Sequence, residues 1–193
     1  MLIVRTPRES ITDEDIKIKF TDWELLDDSN VTKLEMSPGI YEIAAYNAEI
    51  DCRVVGYVGM TSKLQERLNT HYFGKFKNEH GKELMSNISS QISHAINKGW
   101  VIKFRTFKTK DDEIAGAMER VLLDLYNYPW NQLYNDSLRT VNYDAIERDY
   151  WKHKAEELEV YMKKVFEQFL DDMKSSFLLL LTKTLKRKLP TKK

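Results

Sequence analysis

GIYEIAAYNAEIDCRVVGYVGMTSKLQERLNTH, residues 39 to 71, decides the fold. Two runs within it, Gly39 to Tyr46 and Cys52 to Gly59, are rich in Ile, Val, Tyr and Ala. Such residues suit a pleated, half-buried surface, and the polar stretch Asn47 to Asp51 between them is turn chemistry. The pair predicts an antiparallel hairpin. A hairpin centred near Glu49 sets Tyr41 opposite Tyr57, and directly opposite residues share a face of the sheet. A helix follows, with Thr61 or Ser62 as N-cap and Glu66 in its early turns. Arg67 and His71, four apart, project from one face of that helix, while Leu64 and Leu68 turn toward the core. The stretch alone gathers two phenols, a guanidinium and an imidazole.

Outward from this stretch the chain alternates between strand and helix patterns. Ile16 to Phe20 alternates apolar and polar, which predicts a short strand. Trp23 to Leu26 adds apolar cover, and Ser37-Pro38-Gly39 is a breaker. Residues 73 to 83 form a Gly- and Lys-rich loop. Residues 84 to 97 read as a helix with Leu84, Ile88, Ile92, Ala95 and Ile96 inward, stopped by Gly99. His80 and His94 read as solvated or packing residues, and Cys52 as a half-buried strand residue. Residues 100 to 107 alternate as a strand. Asp111 or Asp112 caps a third helix, 113 to 127, with Ile114, Met118, Val121, Leu122 and Leu125 at its core positions. Glu119 stands out, because Ala115, Leu122 and Tyr126 flank it. A carboxylate among apolar neighbours is costly unless paired or metal-bound. After Pro129, Trp130 is expected to pack. Asn131 reads either as an Asx-turn or as a brace for the site's backbone.

Gly39-Ile40-Tyr41, Tyr57-Val58-Gly59 and the T-x-x-L-x-x-R-x-x-x-H run from Thr61 to His71 together resemble the GIY-YIG nuclease family. Glu119 and the Asn131 of Pro129-Trp130-Asn131 sit where that family keeps a metal-binding Glu and a late Asn. The resemblance covers roughly residues 39 to 131. It implies an α+β fold of the α/β type: a small antiparallel or mixed sheet flanked by helices. It also implies a Mg²⁺- or Mn²⁺-dependent endonuclease acting on double-stranded DNA. Tyr41 would relay the proton of the attacking water, Tyr57 would support it by hydrogen bonding, and Arg67 would neutralise phosphate charge. His71 would assist proton transfer or contact phosphate, Glu119 would be both metal ligand and catalytic, and Gly39, Gly59 and Asn131 would be structural. Many members carry Lys after the second tripeptide. Here that position is Met60, which leaves His71 or Lys63 to support the tyrosine. The compact size and the helix ending in Pro-Trp-Asn look like the restriction and phage endonuclease II types.

Composition is compatible with this reading. The chain has 193 residues and no formal net charge. The charge is uneven: residues 53 to 110 carry 11 Lys/Arg against 3 Asp/Glu, and residues 1 to 52 carry 5 against 12. Phosphate contacts dominate nucleic-acid affinity, so the basic block is the expected footprint, with Lys63, Lys75, Lys77 and Lys82 as DNA-binding residues. The single Cys excludes an internal disulfide framework and suits a reducing, cytoplasmic setting. No apolar run is long enough for a membrane span.

Three segments follow: 1–38 as an extension packing on the core, 39–140 as the nuclease core, and 141–193 as a long helical extension with a basic tail. Trp151, Ala155, Leu158, Met162, Val165 and Phe169 follow alternating steps of four and three. That is a heptad seam, which predicts either a homo-oligomer through this helix or packing within the chain. The alternatives to an enzyme are a DNA-binding module that has lost catalysis and an interaction protein driven by the helix. Chemically, one carboxylate such as Glu119 suits a hard cation, and Arg67 suits phosphate oxygens. Crowding by Arg67, a metal ion and His71 is expected to lower the tyrosine pKa.

Overall fold

The computed structural model describes residues 2–4, 6–7, 18–73, 76–77, 83–84, 87–131 and 141–188. In chain order the elements are β1 (Leu2–Val4), β2 (Thr6–Pro7), β3 (Glu24–Leu25), α1 (Asp28–Val31), β4 (Gly39–Asn47), β5 (Cys52–Thr61) and α2 (Leu64–Phe73). Then come β6 (Phe76–Lys77), β7 (Glu83–Leu84), α3 (Asn87–Asn97), β8 (Val101–Lys108), α4 (Asp112–Leu125), β9 (Tyr126–Asn127) and α5 (Tyr143–Lys188). The main sheet has the order β1-β5-β4-β8-β3. Its last four strands run antiparallel, and β1 joins the edge of β5 in parallel. The expected α+β fold, a mixed sheet flanked by helices with a long C-terminal helix, is what forms.

The chain divides into two compact units, Met1–Tyr143 and Asp144–Lys193. In the first unit, Ile40, Ala44, Val55 and Val58 cluster with Ala115, Leu122 and Leu123 of α4. On the other face α2 packs against β4 and α3 against β8. Leu64, Leu68, Ile88, Ile92 and Ala95 are buried. Trp100 and Tyr143, also buried, pack with ring centroids 4.8 Å apart and planes tilted at 48°. Gly99 takes φ +81 and ends α3, a conformation glycine adopts without steric cost. Among the described residues, no helix is long and apolar enough to cross a membrane.

The hairpin departs from the simple register. From Asn47↔Cys52 to Ala44↔Val55 it is regular, but a shift between Ile43 and Ala44 sets Ile43 against Tyr57 and Tyr41 against Gly59. Tyr41 is therefore diagonal to Tyr57, not opposite it. The shift is a bulge at Gly56, and it decides the site. Continued without it, the turn register would set Tyr57 against Glu42, on the opposite face from Tyr41. One extra residue flips the parity and returns both phenols to one face.

Other expectations are corrected by packing. Ile18 to Phe20 is not a strand; Phe20 N–H turns back to Ile18 O and Thr21 N–H bonds Thr106 O. Ile16 and Lys17 lie outside the described residues. Leu84 belongs to β7, so α3 begins at Asn87. Ile96, Ile114 and Val121 are exposed. In α4 the buried face instead carries Ala115, Leu122 and Leu123, which turns Glu119 inward. Asp111 caps α4 as expected, accepting from Ile114 N–H at 2.9 Å. Helix α2 starts later than the proposed cap, and Thr61 Oγ1 accepts from Lys63 N–H at 3.1 Å.

Candidate active site

Strand alternation and the Gly56 bulge place Tyr41 and Tyr57 side by side, with ring centroids 5.9 Å apart and planes at 40°. Tyr41 is fully buried and Tyr57 is half-buried. Their hydroxyls share a hydrogen bond, and Arg67 donates another to Tyr41. Gly59, opposite Tyr41, leaves room for both rings. A Cβ there would lie 2.7 Å from Tyr41 Oη and 2.7 Å from Tyr57 Cε1. Gly39 opens β4 close under the Phe107 carbonyl and Leu64.

Arg67 is exposed on α2, in a polar groove of about 220 Å³ lined by Thr61, Ser62, Lys63, Glu66, Arg67 and Thr70. Lys63 pairs with Glu66 at 3.0 Å on its rim. Glu119 approaches from the other layer. Its half-buried carboxylate accepts from Met60 N–H at 3.2 Å across the free edge of β5. Arg67 and Glu119 are close enough to influence each other and Tyr57 electrostatically. Tyr41, Tyr57, Arg67 and Glu119 thus form one group drawn from β4, β5, α2 and α4. His71 lies on α2 four residues after Arg67, and only its backbone is described, as is that of Lys77. Lys75 and Lys82 lie outside the described residues.

The electrostatics bear on the Arg67 part of one expectation. Burial holds the Tyr41 phenol well above the ordinary tyrosine value; the neighbouring Tyr57 adds to the rise and Arg67 opposes it. Burial raises Tyr57 as well. Crowding by Arg67 does not lower these pKa values on balance, because desolvation of a phenolate outweighs one partly solvated cation. Burial likewise raises Glu119, against the pull of Met60 N–H and Arg67.

Asn131 is buried and closes the edge of β5. Its Oδ1 accepts from Val58 N–H at 3.0 Å, and its Nδ2 donates to Val58 O at 2.8 Å. Trp130 N–H donates to Gly56 O at 2.8 Å. Gly56, Val58 and Met60 are alternate residues on the edge that β1 leaves uncovered, and Trp130, Asn131 and Glu119 serve them in turn. Sequence reasoning missed Glu42. It is fully buried, and accepts from Arg105 Nε at 2.6 Å and from Tyr128 OH at 2.6 Å. A lone acid inside an apolar strand, with an alternating basic strand downstream, was the available signal.

Among the described residues, no three His, Cys, Asp or Glu stand together as a metal site. A half-buried carboxylate whose charge is desolvated still fits a hard divalent cation that keeps most of its waters.

A family model described as "GIY-YIG domain-containing protein" matches residues 26–143, more than half of the chain. No curated protein and no solved structure matched. The matched span contains every element that carries a residue of the site, from the bulged hairpin through α2 and α4 to the Asn131 brace, and the chain belongs to the GIY-YIG domain family.

Proposed function

We propose that this protein is a Mg²⁺-dependent DNA endonuclease of the restriction or phage endonuclease II type. The observation that supports this most directly is the convergence of Tyr41, Tyr57, Arg67 and Glu119 beside a groove open to solvent. Arg67, exposed on α2, binds a phosphate oxygen and stabilises the charge that builds at phosphorus. Tyr41, whose hydroxyl donates to Tyr57, relays the proton of the attacking water: the water's proton enters the Tyr41–Tyr57 hydroxyl pair as the pair releases one to the His71 imidazole. His71 assists that transfer. Glu119 holds one Mg²⁺ or Mn²⁺, and the bound cation would supply a Lewis acid for the phosphate oxygens. Gly39, Gly59 and Asn131 keep the frame. Lys63 stands on the groove, and Lys75, Lys77 and Lys82 extend the contact to duplex backbone. The compact domain and the Pro129-Trp130-Asn131 helix ending support the subgroup.

The test is purified protein with Mg²⁺ on duplex DNA, with modified and unmodified bases. Wild type cuts, while Arg67→Ala and Tyr41→Phe bind with little change and cut about 10² to 10³ more slowly. Arg67 is exposed, so its variant retains the fold. Binding without cleavage in every divalent metal overturns the proposal in favour of a DNA-binding module. A variant with wild-type turnover removes that residue from the mechanism.

A further inference from the structure

Helix α5 spans 46 residues, Tyr143–Lys188. Most of the large apolar side chains that the described residues expose lie on it. The seam residues Trp151, Leu158, Met162, Val165 and Phe169 are each 45% exposed or more. A long helix gains its stability mainly from burying an apolar stripe against a partner surface.

We propose that α5 pairs in parallel, and in register, with α5 of a second copy of this chain. The argument is charge and shape complementarity of the helix with itself. The steps of four and three put Trp151, Leu158 and Val165 at one core position and Ala155, Met162 and Phe169 at the other. Lys154 and Tyr161 then flank the seam on one side, Glu159 and Phe166 on the other. In a parallel, in-register pair a residue on the first flank meets the partner residue five positions on. Lys154 therefore meets Glu159 of the second copy, and Tyr161 meets Phe166. In the single chain Lys154 bonds Glu157 at 2.8 Å, both exposed, so the new carboxylate joins a solvated pair. Reversed about the same seam, Glu159 instead meets its own copy, and like charges oppose.

The seam continues beyond the heptads. After Phe169 a charged Asp172 takes the next core position, and the apolar residues resume at Met173, Phe177 and Leu180. From Val165 the steps to Phe169, Met173, Phe177 and Leu180 are four, four, four and three, which is two successive four-residue insertions, or stutters, and these locally unwind a left-handed coil. The pair is thus supercoiled up to Phe169 and straighter beyond it.

The test is sedimentation of the full chain at micromolar concentration, which is expected to give the mass of two chains. Lys154→Glu and Glu159→Lys singly weaken the dimer by about tenfold in Kd, and the double variant restores it. These substitutions are on exposed residues and leave the core alone. Ala155→Cys forms an interchain disulfide on mild oxidation, while wild type, whose Cys52 is buried, does not. A one-chain mass overturns the proposal. So does a double variant that fails to restore the dimer, or an Ala155→Cys chain that does not cross-link.

Discussion

Two carboxylates of the first unit sit in contrasting surroundings. Glu42 is completely buried, yet both its oxygens are served, by Arg105 and by Tyr128. Glu119 has one bond, to Met60 N–H, and burial lifts its pKa. A folded-state pKa above the unfolded value means that the protonated acid favours folding. That contribution is fully present below the unfolded value of about 4.3 and is lost as pH rises through the folded value. At neutral pH the ionised Glu119 is therefore a cost, and Glu119→Gln, which retains an acceptor for Met60, relieves it. The variant is expected to melt higher than wild type at about pH 7 to 8, with the gap closing toward about pH 4. Mg²⁺ is expected to raise the Tm of wild type and not of the variant, since ligand binding to the folded state stabilises it. A pH-independent offset in calorimetry sinks the burial argument, and an equal Mg²⁺ response in both proteins removes Glu119 as the metal residue.

At the scale of elements, the edge of β5 is the critical part. Beyond β1 its outward groups bond to a loop and two side chains in place of a strand. Asn131→Ala leaves both polar groups of Val58 without their partner, and buried unpaired groups cost about 1–3 kcal/mol each. We expect a loss of about 2–4 kcal/mol in urea unfolding, and a fall in cleavage as the strand carrying Tyr57 loosens. Gly56→Ala places a methyl inside the Trp130 indole and should act alike, by pushing away the segment that carries Asn131. Wild-type stability in both variants would deny the brace. The sequence displays the hairpin strands and β8, the inward Leu64 and Leu68, and the flank of Glu119, because these follow from local period. It hides the bulge, because a glycine inside a strand does not announce that Trp130, 74 residues later, lies on it. It also hides which side of α4 is buried: Ile114 and Val121 are more apolar than Ala115, yet a small residue is what lets a helix approach the sheet closely.

At the scale of the whole molecule, the proposed dimer and the proposed chemistry make a joint prediction that separates them. One site made of Tyr41, Tyr57, Arg67 and Glu119 cuts one strand at a time, and two sites tethered by a parallel pair of helices can act on both strands within one encounter. Leu158→Lys with Val165→Lys puts charge into the seam without touching the first unit, where every residue of the site lies. Supercoiled plasmid is then the informative substrate. Wild type should give linear product early. The seam variant should accumulate nicked circles first and give linear product later, with a nicking rate per site within about threefold of wild type. Loss of all cutting together with a one-chain mass would mean that the dimer builds the site and does not merely double it. Unchanged linear product together with a one-chain mass would separate oligomerisation from double-strand cutting, leaving the four-residue site intact and the helix to a different purpose.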